Sequence, residues 1–124
     1  MSNREERMAI NALELGRLMV ASVASTDPDR LAWVGVYPID SNKSRDVLGW
    51  SGRSDLIGVS PVFRIRKFEV AKLLIDGDVW VAEPDLKNSE DVFVNGMDAL
   101  GKALEQFGSS IASLVPPFRS DYPI

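Results

Sequence analysis

The segment from residue 95 to residue 115 constrains the fold more than any other part of the chain. Its large apolar residues recur at spacings of three and four, which places them on one stripe of an α-helix. A stripe this regular is expected to be buried, so the segment predicts a C-terminal helix that covers a core. Gly108 is expected to divide this helix, because glycine costs about 1 kcal/mol relative to alanine inside a helix. The stripe consists of Met97, Leu100, Leu104, Phe107, Ile111 and Leu114.

A second amphipathic pattern predicts an N-terminal helix over residues 4–25. The helix is expected to end before Pro28, because the residue preceding a proline avoids helical backbone angles. Its apolar stripe is formed by Met8, Ala12, Leu15, Met19 and Val23.

Between these two helices, runs of β-branched and aromatic residues predict a sheet. Residues 31–39 are the first predicted strand. A polar turn at residues 40–44 follows, and residues 46–51 are expected to return as a second strand. These two strands predict a hairpin.

Residues 56–66 are the next extended stretch. Side chains alternate between the two faces of a strand. The alternation predicts that Phe63 and Ile65 face the core and that Arg64 and Arg66 face outward.

Residues 67–75 are compatible with a strand or with a short helix, and the helix-favouring composition makes us prefer the helix. Residues 79–83 and 92–94 read as two further strands and are expected to form an antiparallel hairpin. In an alternative interpretation, residues 92–94 belong to the beginning of the C-terminal helix.

Together these elements predict a single α+β domain over residues 1–124. Its two layers are an antiparallel sheet of four to five strands and the N-terminal and C-terminal helices packed on one face of that sheet. Residues 116–124 contain three prolines, which cannot continue a helix. They predict an extended C-terminal tail.

The chain has no cysteine and no histidine. A disulfide, a thiolate metal site and every catalytic arrangement built on cysteine or histidine are therefore excluded. Each pair of neighbouring carboxylates falls at a predicted turn or at the end of a predicted element, where acids are expected to serve as caps. We expect no catalytic residue, no bound metal and no cofactor.

The N-terminal residues carry charges of both signs and lack the layout of a secretory signal. No apolar run reaches the length that a membrane span requires. We therefore expect a cytoplasmic protein with no membrane partner. The net charge of −4 argues against general affinity for nucleic acid.

Charge is distributed unevenly along the chain. Residues 76–91 hold six acids and one base, whereas residues 64–72 hold four bases and one acid. The two segments are expected either to neutralise each other within the fold or to leave an acidic hairpin exposed as a docking surface. In the second interpretation the partner-binding residues are Asp76, Asp78, Trp80, Glu83, Asp85, Glu90 and Asp91.

These features favour a small acidic protein-binding module over an enzyme. Its most concrete form is a bacterial immunity protein or antitoxin that neutralises a toxin by masking a basic, nuclease-like partner. One alternative is a carboxylate-dependent, metal-assisted enzyme that acts on a small or phosphorylated ligand and gathers Asp76, Asp78 or Glu83 with Ser51 and Arg53. Another is a homo-oligomeric subunit joined through a spare apolar face of the first helix.

Overall fold

Four antiparallel strands form one sheet within the residues that the computed structural model describes, which are 4–77, 81–119 and 122–123. The strands lie in the sheet in the order in which they occur in the chain, so each one pairs with its neighbour in sequence. They are β1 (Met19–Val23), β2 (Arg30–Ile39), β3 (Val62–Ala71) and β4 (Lys87–Asn95).

Four α-helices accompany the sheet in the described part of the chain. They are α1 (Arg4–Glu14), α2 (Arg45–Trp50), α3 (Lys72–Asp76) and α4 (Met97–Gln106). Short 3-10 turns occur at Ser54–Leu56, Glu83–Asp85, Ile111–Ser113 and Pro117–Arg119. No helix in the described ranges has the length and apolar character needed to cross a membrane.

Helices α1 and α4 pack on one face of the sheet, and a single apolar core fills the space between them and the strands. The predicted α+β architecture, with both helices on one face, is confirmed. Every residue of the C-terminal stripe lies in this core or packs against it. The α-helical part of this segment ends at Gln106, and Gly108 follows with a φ of +79°. The sequence predicted that the helix would be divided at this glycine. The fully or nearly fully buried members contributed by the two helices are Ala9, Leu13, Leu100, Ala103 and Leu104.

The N-terminal helix is shorter than predicted. It ends at Glu14, Gly16 follows with a φ of +81°, and residues 19–23 form β1 instead of a helical extension. Valines at positions 20 and 23 suit a strand that pairs with β2. The buried side of this helix is also rotated relative to the predicted stripe, because Ala9 and Leu13 face the core.

One further strand prediction is wrong, and the preferred helix at residues 67–75 is present only in part. Residues 46–50 belong to the helix α2 rather than to a second strand, and Ser51 follows that helix. Residues 67–75 divide at Ala71, so the first part continues β3 and the second part is the helix α3.

The predicted hairpin between residues 79–83 and 92–94 is not present in the part of these segments that the structure describes. Residues 81 and 82 belong to no strand, and residues 79 and 80 lie outside the described ranges. Strand β4 instead pairs with β3, which sets Val94 opposite Phe63 and Val92 opposite Ile65. This register is favoured because it brings apolar side chains together on the helix-covered face.

The other face of the sheet carries two separate apolar clusters. One is formed by Trp33, Phe68, Val70 and Val81. The other is formed by Leu48, Leu56, Val62 and Phe93. Polar and charged side chains lie in the part of the sheet between them.

Candidate functional site

The polar side chains between the two clusters come from strands β2, β3 and β4 and from two segments outside the sheet, at Glu83 and Tyr122. Cross-strand pairs share a face of the sheet, and the register pairs Tyr37 with Arg64 and Arg66 with Asp91. The arginines were predicted to face away from Phe63 and Ile65, and this is confirmed. We use the name polar band for Tyr37, Arg64, Arg66, Glu83, Asp91 and Tyr122.

Arg66 is the centre of the ion pairs in the polar band. Its guanidinium donates two parallel hydrogen bonds to Glu83, with N···O distances of 3.1 and 3.0 Å. Its Nε lies 3.3 Å from a carboxylate oxygen of Asp91. The other oxygen of Asp91 accepts a hydrogen bond from Arg64 at 2.5 Å. The hydrogen bonds to Glu83 raise the pKa of Arg66, so this guanidinium stays charged while it fixes two carboxylates in place.

Tyr122 fastens the C-terminal tail to the same face. Its hydroxyl lies 2.5 Å from the hydroxyl of Tyr37, and its ring centroid lies 5.4 Å from that of Phe68. Burial and the contact with Tyr37 raise the pKa of Tyr122 far above its ordinary value. Gly35 lies beneath it, where a Cβ atom would collide with the Tyr122 hydroxyl. Because position 35 has no side chain, the hydroxyl of the tyrosine can lie against the backbone of the sheet.

The structure brings together two of the seven predicted partner-binding residues. Arg66 joins Glu83 and Asp91, so the predicted local neutralisation is confirmed for these two acids. The remaining described acids are placed separately.

Asp85 accepts a hydrogen bond from the backbone N–H of Ala82 at 2.9 Å. Glu90 lies opposite Lys67 across β3 and β4, and it projects from the helix-covered face. Asp76 is exposed at the end of α3. Asp78 and Trp80 lie outside the described residues. Docking by these residues stays a prediction.

Glu69 is a buried carboxylate that the sequence analysis did not single out. It accepts hydrogen bonds from the backbone N–H and the hydroxyl of Thr26, and from Asn88 and Arg30. Burial raises the pKa of Glu69, but these hydrogen bonds lower it by more, and the net pKa falls below its ordinary value. The carboxylate thereby ties the loop between β1 and β2 to β3. The sequence contained one signal for this buried carboxylate, which is that a single acid lies between the apolar residues Phe68 and Val70.

Two residues of the enzyme alternative have other partners. Arg53 pairs with Asp55 and donates a hydrogen bond to the carbonyl of Phe93, whereas Glu83 pairs with Arg66. Among the described residues, no three acids are grouped in a way that could hold a metal ion. Asp78 is outside that search.

The polar band holds carboxylates in fixed positions while leaving part of them in solvent. The side chain of Glu83 is 69% exposed and that of Asp91 is 37% exposed. Such an arrangement is suited to recognition of a polar or charged surface. No protein-family model, curated protein or solved structure matches the chain.

Proposed function

We propose that the chain is a small protein-binding module that docks a basic protein partner. The proposed surface is the acidic edge, which we define as Glu83, Asp85, Glu90 and Asp91. One observation carries the proposal: β4 is an outer strand of the sheet, its first five residues are all exposed, and it bears two of these acids. Glu90 and Asp91 are consecutive in the strand and project from opposite faces, so their carboxylates flank the strand on both sides.

The geometry of the acidic edge supports recognition by shape as well as by charge. Arg66 holds Glu83 and Asp91 in place, so a partner that engages them immobilises fewer free side chains on binding. The same arginine neutralises part of their charge. Glu90 and Asp85 have no arginine partner in the described structure, and they supply the attraction for a basic surface.

In its most concrete form, the proposed module is a bacterial, cytoplasmic immunity protein or antitoxin. It would cover the positive cleft with which a nuclease-like toxin binds its substrate. The net charge of −4 supports this version, because a negative protein competes for a phosphate-binding surface and is itself repelled by nucleic acid.

The test is an affinity capture from a lysate of the source cells at low salt, with three forms of the full chain as bait. The forms are the unmodified chain, D85N/E90Q and E14Q/E105Q. Both variants lose two negative charges, and the control changes exposed residues on α1 and α4. The amide oxygen introduced by Asp85→Asn can still accept the hydrogen bond from Ala82, so the turn is retained.

We expect a basic protein to be captured by the unmodified chain and by the control, and to be captured about tenfold less by D85N/E90Q. Its nuclease activity should fall when the unmodified chain is added. Equal capture by all three forms would contradict docking through the acidic edge, and capture of no protein would contradict the binding function.

A homo-oligomer is a second candidate, because α1 and the residue that follows it leave two large apolar side chains exposed. Met8 is 55% exposed and Leu15 is 69% exposed. Their spacing of seven residues places them on one side of the N-terminal segment. A mass of one chain by analytical ultracentrifugation, unchanged in a Met8→Ser variant, would contradict this candidate.

A further inference from the structure

A groove of about 590 Å³ lies beside β1, at the sheet edge opposite β4. Its lining comes from β1, from β2 and from the segment that follows α4. Phe118 belongs to that segment and is 82% exposed. We call this cavity the peptide groove.

The backbone of β1 is paired at only one position along its outer edge in the described structure. Val20 exchanges two hydrogen bonds with Val115, and both N···O distances are 2.8 Å. Alternate residues of a strand direct their N–H and C=O groups to the same side. Ser22 therefore directs its backbone groups outward next to this bridge.

The chain's own tail does not continue the pairing at Ser22. The residue that would lie opposite is Ser113, but its N–H donates to the carbonyl of Ser110 in a 3-10 turn. Outside the sheet, no hydrogen bond joins the N–H or C=O of Ser22 to another described residue. Ser22 is also exposed, so a second strand can reach it.

The charge of the peptide groove indicates what that strand should carry. Arg119 is the charged residue in the described lining, and its guanidinium carbon lies 5.9 Å from the centre of the Phe118 ring. It takes part in no ion pair within the described residues. Because an exposed guanidinium beside an apolar wall complements a carboxylate, the groove favours an acidic ligand.

We propose that the peptide groove binds an extended peptide segment of a partner protein. The peptide adds to β1 at Ser22 through backbone hydrogen bonds, and it presents a carboxylate to Arg119. Addition of a strand to an open sheet edge is a common mode of peptide recognition. This site goes beyond the proposed acidic edge, because it lies at the other side of the sheet and selects the opposite charge.

The test uses the full chain labelled with ¹⁵N and titrated with the peptide acetyl-Thr-Val-Thr-Val-Glu-amide. A second probe replaces Glu with Gln, and a third carries an N-methyl group on every peptide amide, which blocks strand pairing along both edges of the peptide. We expect the first probe to shift the amide resonances of Ser22 and Arg119, and the Gln probe to bind roughly fivefold more weakly. The N-methylated probe should not bind.

Two variants separate the charge from the strand. R119Q should remove the preference for Glu over Gln while leaving weak binding of both peptides. Ser22→Pro removes an outward N–H, which an edge strand tolerates, and should abolish binding of every probe. If this variant does not fold, the N-methylated peptide still tests whether binding depends on the backbone hydrogen bonds between the peptide and β1.

The proposal is overturned if no probe shifts the Ser22 resonance at millimolar concentration. It is also overturned if shifts occur only along β4. Resonances of the groove that change on dilution of the chain alone, together with a doubled mass, would assign the groove to a second copy and would overturn the peptide proposal too.

Discussion

The two faces of the sheet are built on different principles. On the helix-covered face, α1 and α4 close over one continuous apolar core. On the opposite face, two small apolar clusters are separated by the polar band. The difference implies that the first face supplies most of the stability, because buried apolar area is the dominant favourable term in folding. The second face chiefly positions the C-terminal tail and the carboxylates near β4.

The largest effect is expected from shortening a side chain in the helix-covered core. Leu104 is fully buried there, and Leu104→Ala should lower the free energy of unfolding by about 3–5 kcal/mol through lost burial and the cavity left behind. Urea denaturation measures this change. Leu73→Ala is the matched control, because Leu73 is 81% exposed, and it should change stability by less than about 0.5 kcal/mol. Similar losses in the two variants would remove the distinction between core and surface.

The next largest effect is expected at Glu69, which joins the loop after β1 to the sheet. Glu69→Gln should lower the free energy of unfolding by about 2–4 kcal/mol. An amide nitrogen would replace one carboxylate oxygen, yet the groups around it at Thr26, Asn88 and Arg30 are mainly donors. Chemical denaturation at neutral pH measures the loss, and Glu90→Gln, at an exposed acid, is the control. A loss no greater than that of the control would contradict the structural role of Glu69.

The pH dependence of stability checks the same carboxylate by another route. The folded-state pKa of Glu69 lies below its ordinary value of 4.5. The stability that this lowered pKa contributes is therefore present above that value and is lost as the pH falls through the folded-state pKa. Glutamine does not titrate, so the Glu69→Gln variant should lose stability less steeply than the unmodified chain from about pH 5 to about pH 3. Parallel curves would contradict the assignment.

The helix-covered face was largely predictable from sequence, because its residues follow local periodicity. The stripe from Met97 to Leu114 and the strand at residues 31–39 were both predicted. The failure at β1 has an identifiable cause: Met19 and Val23 continue the predicted helical stripe but are also suited to a strand. Pairing with β2 decides between these outcomes, and no local pattern in the sequence contains that pairing.

The polar band was predictable only in part, because it is assembled by register. Alternation predicted that Arg64 and Arg66 face outward. It could not predict that β3 pairs with β4, which sets Asp91 opposite Arg66. The contact between Tyr37 and Tyr122 joins residues that are 85 positions apart in the chain. The one local signal for it is Gly35, because a glycine within a strand can mark the close approach of another group.

A smaller effect is expected from removing the central arginine of the polar band. Arg66→Ala should lower the free energy of unfolding by about 1–2 kcal/mol. Its side chain is largely covered, but Glu83 and Asp91 are partly solvated and can be hydrated once it is gone. Arg66→Lys keeps the charge without the paired hydrogen bonds, so its loss should be intermediate. A loss as large as that of Leu104→Ala would show that the second face carries as much stability as the first.

The smallest effect is expected at the two tyrosine hydroxyls, and it tests whether the tail is held by a specific contact. Tyr122→Phe should lower the free energy of unfolding by about 1 kcal/mol, and Tyr37→Phe by slightly more, because it leaves the partly buried hydroxyl of Tyr122 without its partner. The double variant should then cost no more than the larger single change. A double-mutant cycle from urea denaturation measures this coupling. Additive losses would mean that the hydroxyls act independently, and that Tyr122 is held by the packing of its ring on Phe68 alone.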